Sequence, residues 1–296
     1  MKTLTTEFQS EIRATVSLAK AATVITKDNV YQEGDPNIVP ILDSMADSLM
    51  LPGSGVGGME NLEELIARAE SGRSCLLLLE HYSNLDLTIF SLLVRRAGGR
   101  GNDIANALIA IAGAKLNEES PVVAAFASAY TRIVIYPSSY LKGLPPETKE
   151  SEIARGLSIN RAAMKALEEK KTQGKLVLIF PSGTRYRPWD PSTKKGVREI
   201  DSYIKSFDHM CCVALNGGIL HVQRTDMMND IVTQDVVRVT AGPVRSCQEF
   251  RDRARASVDA DANSGDKKQA VVDAIMAELE TLHDEAEKKR KPGAGA

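Results

Sequence analysis

The chain has 296 residues, 43% of them hydrophobic, enough to bury one large core with a small second lobe beside it. Its 37 basic and 39 acidic side chains nearly cancel, which argues against a general nucleic-acid binder. The four cysteines, Cys75, Cys211, Cys212 and Cys247, have no CxxC spacing and no histidine cluster near them. That excludes a disulfide framework and a structural zinc site, and it fits a reducing compartment.

Residues 1–50 read as helical, with Leu4, Phe8, Ile12, Val16 and Ala19 forming an apolar stripe. The N-terminus carries charge in every turn and lacks a signal-peptide core, and no run of 18 apolar residues could span a bilayer. The expected location is the cytoplasm, with the inner face of a membrane as a surface the chain can meet peripherally. A Gly-rich break, "LPGSGVGGMEN", follows and suggests a helical N-terminal lobe over 1–58 and a second domain over 59–296. The break contains a literal GxGxxG from Gly53 to Gly58. The segment before it is helix-like and ends in Pro52, so the strand that a dinucleotide fingerprint needs is missing.

Beyond the break, strands and helices alternate. "CLLLLE" (75–80), "ALIAIAGA" (107–114), "RIVIYP" (132–137), "KLVLIF" (175–180), "CCVALN" (211–216) and "VVRVTAG" (236–242) read as strands. Helices are expected over 83–96, through 122–129, and over 148–171, where Ile153, Leu157, Ala162 and Leu167 are the apolar positions. A last amphipathic helix, 271–291, turns Val271, Ile275, Leu279 and Leu282 inward, and its basic end suits the negative pole of the helix. Continuous apolar strands separated by helices predict an α/β fold, a mainly parallel mixed sheet covered by helices on both faces.

Candidate chemistry begins at "EHYSNLD". His81 follows an apolar strand, and Asp86 lies five positions on. With Ser83 as N-cap, Asp86 would stand at the third helical position and close a capping box, which is the structural reading. That reading leaves His81 unexplained in a strand-to-helix turn, where open α/β sheets bind ligands. The spacing also lets the Asp86 carboxylate accept the N–H of one imidazole nitrogen, leaving the other free to take a proton from an alcohol.

The second segment is "LVLIFPSGTRYRPWDP". After the Pro181-Ser182-Gly183 turn, Arg185 and Arg187 would point to one side of an extended stretch and could clamp a phosphate. A surface turn with two solvated arginines is the alternative. His209, His221 and His283 lack comparable context and read as surface or structural residues.

Taken together, the H-X4-D motif and the downstream "FPSGTRYRP" resemble the glycerolipid acyltransferase superfamily over roughly residues 60–250. The resemblance is closest to the soluble glycerol-3-phosphate acyltransferases of plant chloroplasts, which read "NHQTEAD" and "APSGGRDRP" at these places. It implies that His81 is the general base, Asp86 its orienting partner, and Arg185 and Arg187 phosphate ligands, with Ser182 and Gly183 forming the supporting turn. The plant-type enzymes carry a Lys-His pair after their third strand, where this chain has Ser139 and Tyr140. Lys142 is the nearby basic residue that could supply part of that charge.

The implied activity is transfer of a fatty acyl group from an acyl-carrier-protein or coenzyme A thioester to the sn-1 hydroxyl of glycerol 3-phosphate, a step of phospholipid synthesis. The thioester is a co-substrate; neither a further cofactor nor a metal is implied. Backbone N–H groups near the start of the helix after His81 are expected to face the oxyanion. One rival is a 1-acylglycerol-3-phosphate acyltransferase, whose family usually has glutamate at the place of Ser182. Another is a non-catalytic lipid- or carrier-binding protein.

Overall fold

Strands and helices alternate along the computed structural model, which describes residues 1–20, 24–118, 120–141, 144–259 and 261–290. The strands are β1 (Tyr31–Gln32), β2 (Gly55–Gly57), β3 (Cys75–Leu79), β4 (Leu108–Gly113), β5 (Arg132–Ile135), β6 (Leu176–Ile179), β7 (His209–Asn216), β8 (Leu220–His221), β9 (Ile231–Val232), β10 (Arg238–Ala241) and β11 (Arg245–Ser246). The helices begin with α1 (Leu4–Glu7), α2 (Gln9–Leu18), α3 (Val39–Leu49), α4 (Met59–Glu70), α5 (Asp86–Arg96) and α6 (Gly101–Ala107). They continue with α7 (Lys115–Glu118), α8 (Pro121–Ala127), α9 (Pro146–Lys170), α10 (Ile200–Ser206), α11 (Cys247–Ala256) and α12 (Ser264–Arg290).

One nine-stranded sheet runs β1-β5-β4-β6-β3-β7-β10-β2, with β11 also pairing to β7. From β5 across to β7 every pair is parallel, while β10 and β1 run antiparallel to their neighbours β7 and β5. The expected α/β sheet covered by helices is therefore present. In β3 the pleat divides the apolar run between two cores. Cys75, Leu77 and Leu79 face one hydrophobic cluster, and Leu76 and Leu78 face the other. Each fully buried leucine of this kind stabilises the fold by about 2 kcal/mol. Leu4, Ile12 and Leu42 from the first helices pack into the same cluster as Leu77, and β2 adds a strand at the sheet edge.

The glycines of the GxGxxG stretch therefore serve the sheet. Gly55 to Gly57 pair with Arg238 to Thr240. Gly58 has φ 71° at the start of α4, where a Cβ would collide with the carbonyl oxygen of Ala241.

Two helical faces differ from the sequence expectation. In α9 the buried stripe is Gly156, Ile159, Ala163 and Leu167, whereas Ile153 and Leu157 lie 39% and 64% exposed. In α2 Ile12 is buried, but Val16 is 40% exposed. In α12 Val271, Ile275 and Leu279 are buried as expected, and Leu282 is half-buried.

Candidate active site

β3 lies between β6 and β7, and its chain leaves the sheet through Glu80 and His81 at the carboxyl ends of the parallel strands. His81 Nδ1 stands 2.9 Å from Asp86 Oδ2. The same oxygen accepts the backbone N–H of Tyr82 at 2.5 Å and of Ser83 at 2.8 Å, and Oδ1 accepts the Ser83 hydroxyl at 2.6 Å. Asp86 is only 1% exposed, so four donors replace its lost water.

The bonds expected of a capping box around Ser83 are present: Asp86 Oδ2 accepts the Ser83 N–H, and Ser83 Oγ accepts the Leu85 N–H at 3.1 Å. Helix α5 begins at Asp86 itself, and its N-cap residue, Leu85, makes no side-chain cap. The carboxylate folds back over the turn, gathers its amides and orients His81 as well. The amides of Tyr82 and Ser83 are thereby committed to Asp86.

With Nδ1–H donated to a carboxylate, the other ring nitrogen of His81 carries the lone pair. Nε2 has no hydrogen-bond partner among the described residues. The imidazole stacks on Phe180 at the end of β6, centroids 3.9 Å apart and planes 20° from parallel. The His81 carbonyl accepts the N–H of Tyr186 at 2.8 Å, which ties the histidine turn to the stretch between the two arginines.

That stretch is turned by Gly183, whose φ of 65° is left-handed. Its N–H bonds the Phe180 carbonyl at 2.9 Å, and the Ser182 hydroxyl donates to the Thr184 carbonyl at 2.7 Å. Arg185 Nη1 reaches Asp230 Oδ2 at 3.2 Å. Asp230 is 1% exposed, and burial pushes its carboxyl up, against the pull of Arg185. The Arg187 side chain makes no ion pair among the described residues. Lys142 lies outside the described residues.

Two cavities share His81. The larger, about 510 Å3, runs past Phe180, Leu87, Phe126 and Tyr140 and is mainly apolar. The smaller, about 300 Å3, carries Glu80, Tyr82, Ser182, Tyr186, Lys194 and Lys195. Gly183 lines the larger cavity, while Arg185 and Arg187 line neither. Ser139 and Tyr140, which stand where a basic pair was looked for, line the larger one.

A second histidine–carboxylate pair adjoins the first. Glu80, 8% exposed, accepts from His283 Nδ1 at 2.8 Å, from the Tyr82 hydroxyl at 2.9 Å and from the Leu215 N–H at 2.9 Å. The hydrogen bond to Glu80 holds His283 above the usual histidine range, although burial pulls the other way. Sequence reasoning left His283 without context, because its partner lies 203 positions away. The one sequence signal was the acidic residue immediately before His81. Lys194 and Lys195 were missed too, since nothing in their local pattern marks them. His209 contacts Arg68, and His221 contacts Thr233 at 2.7 Å, both far in sequence from the motifs. Cys211 and Cys212 are wholly buried β7 residues whose thiols burial pushes up, out of the range of nucleophiles.

A buried carboxylate that orients an imidazole, beside an apolar cavity at the strand ends, is the equipment of a base that deprotonates a substrate held against a long apolar group. The sequence profile of the acyltransferase family matches residues 55–224, which include both motifs. The chain belongs to the acyltransferase family, and the activity that follows from this is a lipid acyltransferase activity. No curated protein matches the chain significantly.

Proposed function

We propose that the chain transfers a fatty acyl group from a thioester, carried by acyl-carrier protein or coenzyme A, to the sn-1 hydroxyl of glycerol 3-phosphate. The observation that carries this reading is His81, oriented by Asp86, standing where a larger, mainly apolar cavity meets a smaller one that carries Lys194 and Lys195. The acyl chain takes the larger cavity and presents its thioester carbonyl at His81. Nε2 removes the hydroxyl proton as the alcohol oxygen attacks the carbonyl carbon. The C–S bond then breaks, and the imidazolium returns the proton to the departing thiolate. The thioester is already activated, so no protein nucleophile is needed and no acyl-enzyme forms. Asp86 stabilises the imidazolium through the intermediate.

Arg185 and Arg187 are the phosphate ligands in this reading. Asp230 holds the Arg185 guanidinium in place and neutralises part of its charge, so Arg187 supplies the larger share of the attraction. The chain meets lipid peripherally, on the cytoplasmic face of a membrane; among the described residues no helix is long and apolar enough to cross one.

One observation favours lysophosphatidate as the acceptor instead. The segment after β5 offers Ser139 and Tyr140, both lining the larger cavity, where a basic pair would serve a small phosphate. Offering both donors and both acceptors to the purified chain, and identifying the lipid formed by mass spectrometry, tests the reading. Lysophosphatidate as the product of glycerol 3-phosphate supports it, and a product only from lysophosphatidate overturns it.

A further inference from the structure

A buried charge lines the larger cavity. Arg132 opens β5, is 2% exposed, and lines this otherwise mainly apolar space. Its Nη1 donates to the carbonyls of Ala127 at 2.8 Å and Tyr130 at 3.5 Å, just past the end of α8. Its Nε–H is buried with no acceptor. No carboxylate pairs with it among the described residues. Burial alone draws the guanidinium down to about 10, with no neighbouring charge to oppose the shift.

The sheet register locates this charge relative to the reacting end. Leu77, Leu178, Ala110 and Arg132 lie in one row across β3, β6, β4 and β5. His81 stands four residues further along β3, so strand rise and spacing separate the two by roughly 20 Å. The walls include Leu87, Ala110, Val123, Phe126 and Ala127, with Thr88 and Tyr130 as polar residues beside Arg132, and Arg198 and Glu199 line the space too. Such a space fits a long chain whose carbonyl is at His81 and whose far end is at Arg132.

We propose that Arg132 is a specificity residue for the far end of the acyl chain, favouring acyl groups that carry a carboxylate at the terminus away from the thioester. This rests on the reading of the larger cavity as the acyl site. A methyl terminus leaves the guanidinium without a counter-charge in a dry site, whereas a terminal carboxylate accepts a hydrogen bond from it and supplies that charge. One charge-assisted hydrogen bond of this kind discriminates by about tenfold to a hundredfold. The bonds to Ala127 and Tyr130 fix the guanidinium beforehand, so little ordering is needed when the chain arrives.

Equilibrium binding without acceptor tests the proposal, because it does not depend on which alcohol is acylated. The probes, each offered both as the coenzyme A and as the acyl-carrier-protein thioester, are palmitate, hexadecanedioate with its far carboxylate free, and the matching chain with a terminal amine. The hexadecanedioyl thioester should bind the wild-type chain at least about tenfold more tightly than the palmitoyl thioester, and the amine-ended one more weakly than both. In Arg132→Met the preference should vanish while palmitoyl binding is kept or improves. Should that variant fail to fold, the order of the three thioesters on the wild type still decides. Equal affinities on the wild type, or a preference that persists in Arg132→Met, would overturn this proposal and leave the acyl-donor reading intact. If none of the three binds, both fall.

Discussion

Glu80 accepts a hydrogen bond from His283 across 2.8 Å, so the last helix is tied to the residue that precedes His81. This contact has a sign in pH. His283 is held above the usual range in the folded chain, so its contribution is complete below the unfolded histidine pKa of about 6.5. It is lost as pH rises through the higher folded value. The wild-type chain should therefore exceed His283→Ala in Tm most clearly near pH 6, and the gap should narrow at higher pH. A constant gap would mean that packing, and not protonation, accounts for the pair.

His81→Ala should lower kcat by about 10²–10⁴-fold with an unchanged circular dichroism spectrum. Asp86 allows a finer test. Two backbone amides and His81 all converge on Oδ2, so an asparagine must place its oxygen there and can turn its NH2 to Ser83. Asp86→Asn should thus keep the fold and the imidazole tautomer while losing the negative charge, and kcat should fall by less than in His81→Ala. Asp86→Ala strips the same amides of their acceptor and should cost about 1–3 kcal/mol of stability as well. Near-normal turnover in His81→Ala would end the assignment of His81 as the base.

Arg185 and Arg187 should separate in one respect. Either alanine substitution should raise KM for a phosphorylated acceptor and leave KM for the thioester little changed, with lysine rescuing only in part. Only Arg185→Ala leaves the buried Asp230 without its cation, at a cost of about 2 kcal/mol. Thermal melts read beside the kinetics distinguish the two. Equal shifts in both KM values would point to a folding role for the whole turn.

Association with anionic vesicles should be weak and sensitive to salt. Of the basic cluster that ends α12, Arg290 is already bound to Glu287 and Asp235 with its side chain 5% exposed. Lys288 and Lys289 are the exposed members described there. Co-sedimentation at low salt should exceed that with neutral vesicles and drop when both lysines become glutamine. Equal sedimentation with neutral vesicles would remove this surface from the account.

Much of the framework was legible because buried parallel strands leave unbroken apolar runs. Cys75–Leu79 and Leu176–Ile179 could hardly be anything else. Helix α9 was harder, since it carries two apolar stripes. Periodicity alone does not say that Ile159, Ala163 and Leu167 face the sheet while Leu157 faces out. His81 and Asp86 were legible as a pair because both partners lie within one turn. The capping role of Ser83 was legible for the same reason, although helix α5 itself begins three residues later, at Asp86. Asp230 opposite Arg185, His283 on Glu80, and Arg132 in the lining of the cavity come together only through folding, and a local pattern holds no trace of such partners.

The most direct measurement is kcat/KM of the wild-type chain for glycerol 3-phosphate and for lysophosphatidate, with one common long-chain acyl thioester. The account predicts a clear preference for glycerol 3-phosphate, with the acyl group found on the sn-1 oxygen and with turnover lost in His81→Ala. A clear preference for lysophosphatidate would contradict it.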